Sequence, residues 1–194
     1  MSLVKFDKLN ISLISTGINL VQNLSFEIEK GESFGIVGES GSGKSLTALS
    51  TLGLLNKKIF KTSGQILIDN KNINNITDSE LNNIRGNKIS MIFQEPMLSL
   101  NPVKSLHSQI VECIELSDKN LDISDVREAL IAVGLNDTKK ILNSYPHMIS
   151  GGQRQRFMIA MSVLRKPSVI IADEPTTALD VTLQKQILDT LNNL

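Results

Sequence analysis

The residues best placed to do chemistry are Gly38, Glu39, Ser40, Gly41, Ser42, Gly43, Lys44 and Ser45, which match the spacing G-x-x-x-x-G-K-[ST] at every fixed position. Glycines there let the backbone curl until successive N–H groups face one concavity, and a helix opening behind them aims its positive dipole end at the same point. Such a cradle suits the oxygens of a triphosphate. Lys44 would reach the β- and γ-phosphates, and the Ser45 hydroxyl would become a ligand of the Mg²⁺ that bridges them. The flanks agree with this reading: residues 33–37 are a short apolar run of strand length, and residues 46–55 have helix-compatible spacing. An ordinary Gly/Ser turn, the plain alternative, is not expected to satisfy all four fixed positions.

A nucleotide triphosphatase needs a second, acidic site for its magnesium. Residues 168–172 read as a buried parallel strand that delivers Asp173 and Glu174 at its C-terminal end, where open α/β sheets place their ligands. Asp173 would hold Mg²⁺, directly or through water, and Glu174 would polarise the attacking water as general base. Ser150, Gly151, Gly152 and Gln153 form a further cradle, with a Ser hydroxyl, glycine N–H groups and the N-terminus of an apolar-rich helix that runs to Leu164 before Pro167 stops it. One chain does not need two such cradles for one γ-phosphate.

These groups must be positioned by an α/β scaffold. Residues 3–14 and 20–28 alternate apolar and polar side chains and read as antiparallel strands of a β-layer ahead of the nucleotide strand. Ser63-Gly64 turns into a strand over residues 65–69, and Thr77-x-x-Glu80 is a capping box that opens a short helix closed by Arg85-Gly86. Residues 88–93 form an almost wholly apolar strand, expected to be buried on both faces, that ends on Gln94. Helical patterns then dominate: residues 105–116, residues 124–133 from a Ser124 cap to Gly134, and residues 137–142. They read as an all-helical insertion. After Pro175 breaks the last strand, residues 176–180 are a loop and residues 182–194 begin a final helix.

Composition narrows the class. At 194 residues the chain has a one-domain length. Lysine plus arginine equals aspartate plus glutamate, 20 against 20, so no global basic field invites nucleic acid. The first residues carry charge where a signal peptide needs apolar residues, and no apolar run approaches the ~18 residues of a membrane span. A soluble, cytosolic chain is expected. The single cysteine, Cys113, reads as a small buried or half-buried apolar residue and not as a nucleophile.

Taken together and in this order, the phosphate loop, Gln94 at a strand end, Ser150-Gly151-Gly152-Gln153, Asp173-Glu174 and the loop Ala178-Leu179-Asp180 resemble the nucleotide-binding domain of the ATP-binding cassette (ABC) ATPases. The resemblance covers nearly the whole chain. It implies a P-loop NTPase core of ABC type over residues 1–95 and 165–194, carrying the β-layer, with a helical subdomain over residues 96–164 that holds the Ser150 signature. It also implies a head-to-tail pair of cassettes, identical or different, in which each signature closes over the ATP held by the other phosphate loop, and it places Asp180 among the nucleotide-binding residues. Gln94 would sense Mg²⁺ and water.

The wording from Met91 to Pro102, Tyr145-Pro146-His147, and the run from Ala172 to Thr182 resemble the ATPase subunits of oligopeptide, dipeptide and nickel importers. That implies permease subunits as partners, a peripheral place on the cytoplasmic face of the membrane, and docking of residues 95–102 on a membrane-subunit helix. Two departures stand out. Residues 11–18 lack the aromatic that stacks on adenine in the family, leaving Leu13 for apolar contact, and the chain stops at Leu194 before the family's switch histidine. The sequence is therefore expected to be a fragment of a longer protein or a truncated product with impaired hydrolysis. The competing readings are an ABC clamp that moves no solute and a form that binds ATP without turnover.

Overall fold

The computed structural model describes residues 2–93, 100–175, 184–185 and 188–189. It divides into two compact units, Met1–Asn83 and Ile84–Leu194. The first is built on an antiparallel sheet of order β2-β1-β3-β4: β1 Ser2–Leu13, β2 Asn19–Glu29, β3 Phe60–Ile68 and β4 Lys71–Asn72. The alternation read in the sequence is real but interrupted. Val4 and Phe6 pair across to Ile28 and Phe26, whereas Leu9 and Ile11 pair to Leu24 and Val21, with a register shift between Phe6 and Leu9. All four β1 side chains are buried. Two consecutive pairs of odd and even positions can face the same way only if an extra residue is absorbed between them, and a β-bulge does this.

Lys8 carries the bulge, with a left-handed φ of 50°, and its N–H donates to Ser25 Oγ at 2.9 Å instead of to the ladder. On the other side β3 approaches so closely at Gly64 that a Cβ there would lie 2.3 Å from the Lys8 carbonyl oxygen. Glycine is required.

Helix α1, Lys44–Thr51, follows the phosphate loop. The strand expected over residues 33–37 does not form: these residues have no regular structure, and Val37 is 96% exposed. A strand exists only through its ladder. Among the described residues, no strand of the β2-β1-β3-β4 sheet pairs with the run. What fixes it instead is the Phe34 ring, stacked on Phe26 at 4.8 Å, which in turn stacks on Phe6 at 4.4 Å.

Helix α2, Asp78–Asn87, opens on the anticipated box: the Thr77 hydroxyl oxygen accepts from Glu80 N at 3.3 Å, and Glu80 Oε2 accepts from Thr77 N at 2.9 Å. Its helical dihedrals fail at Arg85 and Gly86, where φ turns to +80° at the glycine.

In the second unit β5, Ile89–Ile92, pairs in parallel with β6, Val169–Ala172, from Ile89 opposite Val169 to Ile92 opposite Ala172. Most of β5 is buried. β6 is half-buried and Ala172 is exposed, contrary to the buried strand expected, because among the described residues β6 has a strand on one edge only. Helices α3 Leu106–Glu115, α4 Ile123–Ala132, α5 Thr138–Leu142 and α6 Gly151–Leu164 pack around a core that includes Leu106, Ile110, Leu130, Phe157 and Ile159. The cap of α4 is Asp122 and not Ser124: the Asp122 carboxylate accepts from Ser124 N at 2.7 Å and from the Ser124 hydroxyl at 2.5 Å. The charged acceptor outcompetes the hydroxyl for the orphan donors of the first turn. Cys113 is half-buried, and burial pushes its thiol up, away from thiolate chemistry. No described helix is long and apolar enough to cross a membrane.

Candidate nucleotide-binding site

The phosphate loop belongs to the first unit; Asp173, Glu174 and the Ser150 signature belong to the second. In the loop, Gly41 and Gly43 hold left-handed φ values of +81° and +91°, and Ser42 N donates to the Glu39 carbonyl at 3.2 Å. The two reversals curl residues 38–44 around the lysine. Lys44 Nζ donates to the carbonyls of Gly38 at 2.7 Å and Glu39 at 2.8 Å. The ammonium is thereby fixed over the concavity with one donor still uncommitted to these carbonyls. The carbonyls offer the ammonium only dipoles, whereas a phosphate adds the attraction of a full opposite charge, so an anion can draw the ammonium toward itself.

Strand β2 braces the cradle from behind. A Cβ on Gly43 would lie 2.8 Å from Val21 Cγ2 and 3.1 Å from the Leu20 carbonyl oxygen. A Cβ on Gly38 would meet Ser42 Oγ at 2.7 Å. The loop is therefore as tight as glycine permits. α1 begins directly behind it, with neither a side-chain cap nor an acidic residue in its first turn. Its opening N–H groups are thus left for an anion. The hydroxyls further along turn inward: Thr47 Oγ1 donates to Gly43 O at 2.9 Å and Thr51 Oγ1 to Thr47 O at 3.0 Å. Ser45 alone of the helix's first residues presents its hydroxyl on an exposed position. The donor set fits a phosphate chain, and the Ser45 hydroxyl is an oxygen donor of the hard type that Mg²⁺ takes.

In the second unit Asp173 N donates to the Ile92 carbonyl at 3.0 Å, extending the parallel ladder by one bond and fixing the residue at the strand's carboxyl end. Asp173 is half-buried and Glu174 is exposed. Glu174 also has a left-handed φ of +48°, uncommon for a residue with a side chain.

The signature closes as a capping box: Ser150 Oγ accepts from Gln153 N at 3.2 Å, and Gln153 Oε1 accepts from Ser150 N at 2.9 Å. The Ser150 hydroxyl proton and the Gln153 amide group remain donors, and Ser150 is exposed. Behind it Arg156 Nη1 donates to Gly134 O at 3.2 Å, tying α6 to the end of α4. Gln94, Asp180 and the segment from Glu95 to Ser99 lie outside the described residues, so their expected roles have no geometry here. Two features escaped the sequence reading. The brace of Leu20 and Val21 is a contact between distant residues with no local signal. Gln155, completely buried on α6, could have been noticed as a polar residue heading an apolar stretch.

The family model described as ABC transporter matches residues 21–177. The oligopeptide transport ATP-binding protein AppD of Bacillus subtilis is 46% identical over 182 residues, which is 91% of this chain and 55% of AppD. The dipeptide transport ATP-binding protein DppD of the same organism is 46% identical over 187 residues, 93% of this chain and 56% of DppD. The chain thus spans about half the length of the curated relatives it matches. Among solved structures, the ATP-binding cassette MJ0796, a dimer in a post-hydrolysis state bound to ADP and Pi, superposes with a TM-score of 0.83 at 30% identity, covering 97% of this chain and 81% of that one. With the glycine-braced loop, the parallel β5–β6 pair and the capped α6 in hand, the chain belongs to the ABC transporter family and has the α/β fold of its ATP-binding cassettes.

Proposed function

We propose that this chain is the ATP-binding and ATP-hydrolysing part of a subunit that powers import of oligopeptides, dipeptides or a related small solute. The phosphate cradle carries the reading: two left-handed glycines, an uncapped α1 and the Lys44 ammonium converge on one concavity. Gly38 to Ser45 hold the triphosphate, and Ser45, Asp173 and Gln94 are the ligands for Mg²⁺. Bound there, the metal would neutralise charge on the β- and γ-phosphates. Glu174 is the general base. The residues 1–95 and 165–194 form the nucleotide core and residues 96–164 the helical subdomain.

MJ0796 is a cassette dimer, which supports a second ABC domain facing this one, so that Ser150, Gly151, Gly152, Gln153 and Asp180 act on the partner's nucleotide. AppD and DppD are named for peptide transport, which supports permease subunits as further partners and a peripheral place on the cytoplasmic membrane face. Adenine contact falls to apolar side chains near the β1–β2 turn, where Ile14 and Ile18 are exposed beside Leu13.

Titration of a fluorescent ATP analogue tests the assignment. Lys44→Ala is expected to abolish binding at low micromolar concentration. Ser45→Ala is expected to show a milder defect that magnesium concentration modulates. Equal affinities of wild type and Lys44→Ala would remove the phosphate-loop reading.

A further inference from the structure

We propose that Gln155 is a positioning residue for Glu174: its buried amide holds the left-handed turn at the end of β6 against the helix that starts at the signature. The proposal rests on reading Glu174 as the general base, and concerns how that base is kept in place.

Gln155 is 0% exposed and sits in α6 two residues before Phe157, the first of the core residues Phe157, Met158 and Ile159. A buried amide costs free energy unless it is hydrogen-bonded, and a methionine of similar length would fill the space without that cost. The amide therefore has a role that volume does not explain. Its Nε2 donates to the carbonyl of Pro175. Its Oε1 is buried and, among the described residues, has no partner. Among the described residues, the amide's bonding is spent on one main-chain oxygen.

That oxygen follows the least comfortable backbone in the site. Glu174 is left-handed at φ +48°, a conformation that L-residues adopt only where the surroundings over-determine it. Pro175 has no N–H, so its carbonyl is the only main-chain hydrogen-bonding group through which it can be held. On one side the turn is anchored by Asp173 N on the Ile92 carbonyl, and on the other by Gln155. Glu174 lies between the two anchors with its side chain exposed. Gln155 in turn stands one helical turn and a half beyond Ser150, whose capping box fixes the start of α6. The signature helix and the backbone of the base are thus one hydrogen-bonded unit, and a shift of α6 moves Glu174.

The test uses the full-length ATPase with three single variants and one double. Gln155→Met keeps length and apolar fit but removes the donor. It is expected to leave the affinity for the ATP analogue and KM within twofold of wild type. Its kcat should fall about tenfold, the worth of one net hydrogen bond expressed as a rate.

Gln155→Glu can donate to Pro175 only as the protonated acid. Its kcat relative to wild type is expected to rise as pH is lowered from about 8 to about 6, the range into which burial raises a carboxyl. Glu174→Gln and Glu174→Gln/Gln155→Met should have the same low turnover, because residues acting as a unit are not additive.

A Gln155→Met kcat within twofold of wild type, or a kcat loss matched by an equal loss of nucleotide affinity and thermal stability, overturns the proposal and leaves Gln155 as core filling. Should Gln155→Met fail to fold, the Gln155→Glu ratio decides, and a flat ratio across pH overturns it. Full turnover by Glu174→Gln instead sinks the general-base reading itself, and with it anything for Gln155 to position.

Discussion

Replacing the loop glycines one at a time by alanine separates the physical parts of the cradle. Gly41→Ala adds a methyl at φ +81° with nothing within 4 Å of it, so its only cost is the left-handed backbone, about 1–2 kcal/mol. Gly43→Ala adds the same strain at φ +91° and drives the methyl to 2.8 Å from Val21 Cγ2 and 3.1 Å from the Leu20 carbonyl oxygen. Val21 can rotate but the carbonyl is held in the β1–β2 sheet, so about 1 kcal/mol or more of overpacking is added, for a total near ~3 kcal/mol. Gly38→Ala has no positive φ and meets only Ser42, at 2.7 Å from Oγ and 3.3 Å from Cβ, so about 1 kcal/mol is expected.

Where these costs appear depends on burial. Gly41 is exposed, so the free loop can relax and the strain returns only when a triphosphate demands the curled form. Its cost falls on affinity. Gly43 is buried against β2 and divides its cost between folding and binding. With ~1.4 kcal/mol per decade, analogue titration should weaken by roughly tenfold for Gly41→Ala. For Gly43→Ala, the losses in affinity and in urea-unfolding free energy should together reach about 3 kcal/mol. Gly38→Ala should be largely repaired by adding Ser42→Ala, which deletes the colliding oxygen. Binding by Gly43→Ala within threefold of wild type at unchanged stability, or a larger combined loss for Gly41→Ala, would refute the idea that β2 braces the loop.

Two further outcomes follow from the helix ends. In Gly86→Ala the new methyl would stand 2.2 Å from Arg165 Nη1 at a φ of +80°. Displacing that guanidinium would break its bonds to Asn87 Oδ1 and the Leu116 carbonyl, so urea unfolding should show a loss of about 3 kcal/mol, and a loss under ~1 would contradict the packing. At acid pH, the Glu80 carboxyl is held below its usual value by the Thr77 N–H and hydroxyl, and Asp122 by the Ser124 hydroxyl and the N–H groups of Ser124 and Asp125. Because the folded-state values are depressed, their stabilisation is complete above the ordinary carboxylate range and is lost as pH falls through the lowered values. Thermal melts from about pH 7 to pH 3 should therefore decline less steeply for Glu80→Gln/Asp122→Asn, and parallel curves would show that the caps are not titrating.

What could be read from the sequence divides by the range of the interaction that makes each feature. The Thr77–Glu80 box, the Ser150 cap and the Gly134 stop are decided within four residues, so residue types at fixed offsets declare them. Asp122 displaced Ser124 as a cap for an equally local reason, a carboxylate two residues upstream that reaches the same donors. The run over residues 33–37 has strand composition yet forms none, since composition cannot supply a ladder partner. The bulge at Lys8 was hidden for the opposite reason: it is visible only as a change of parity between Phe6 and Leu9, and the residue that accommodates it, Gly64, lies more than fifty residues away.

The same distinction explains why the candidate site was readable while its supports were not. A phosphate cradle is made of backbone N–H groups, and the sequence reports them by what it omits, the Cβ atoms at Gly38, Gly41 and Gly43. The groups that hold such cradles in shape are ordinary side chains reaching across the fold. Val21 behind Gly43 and Gln155 behind Glu174 carry no motif of their own, and each becomes visible only through a distance or a burial in the folded chain. For a site of this kind, substitutions at the motif test whether the chemistry is present. Substitutions at the supports test whether the geometry is what makes it work, and that makes Gln155→Met the more discriminating variant than any change within the glycine loop.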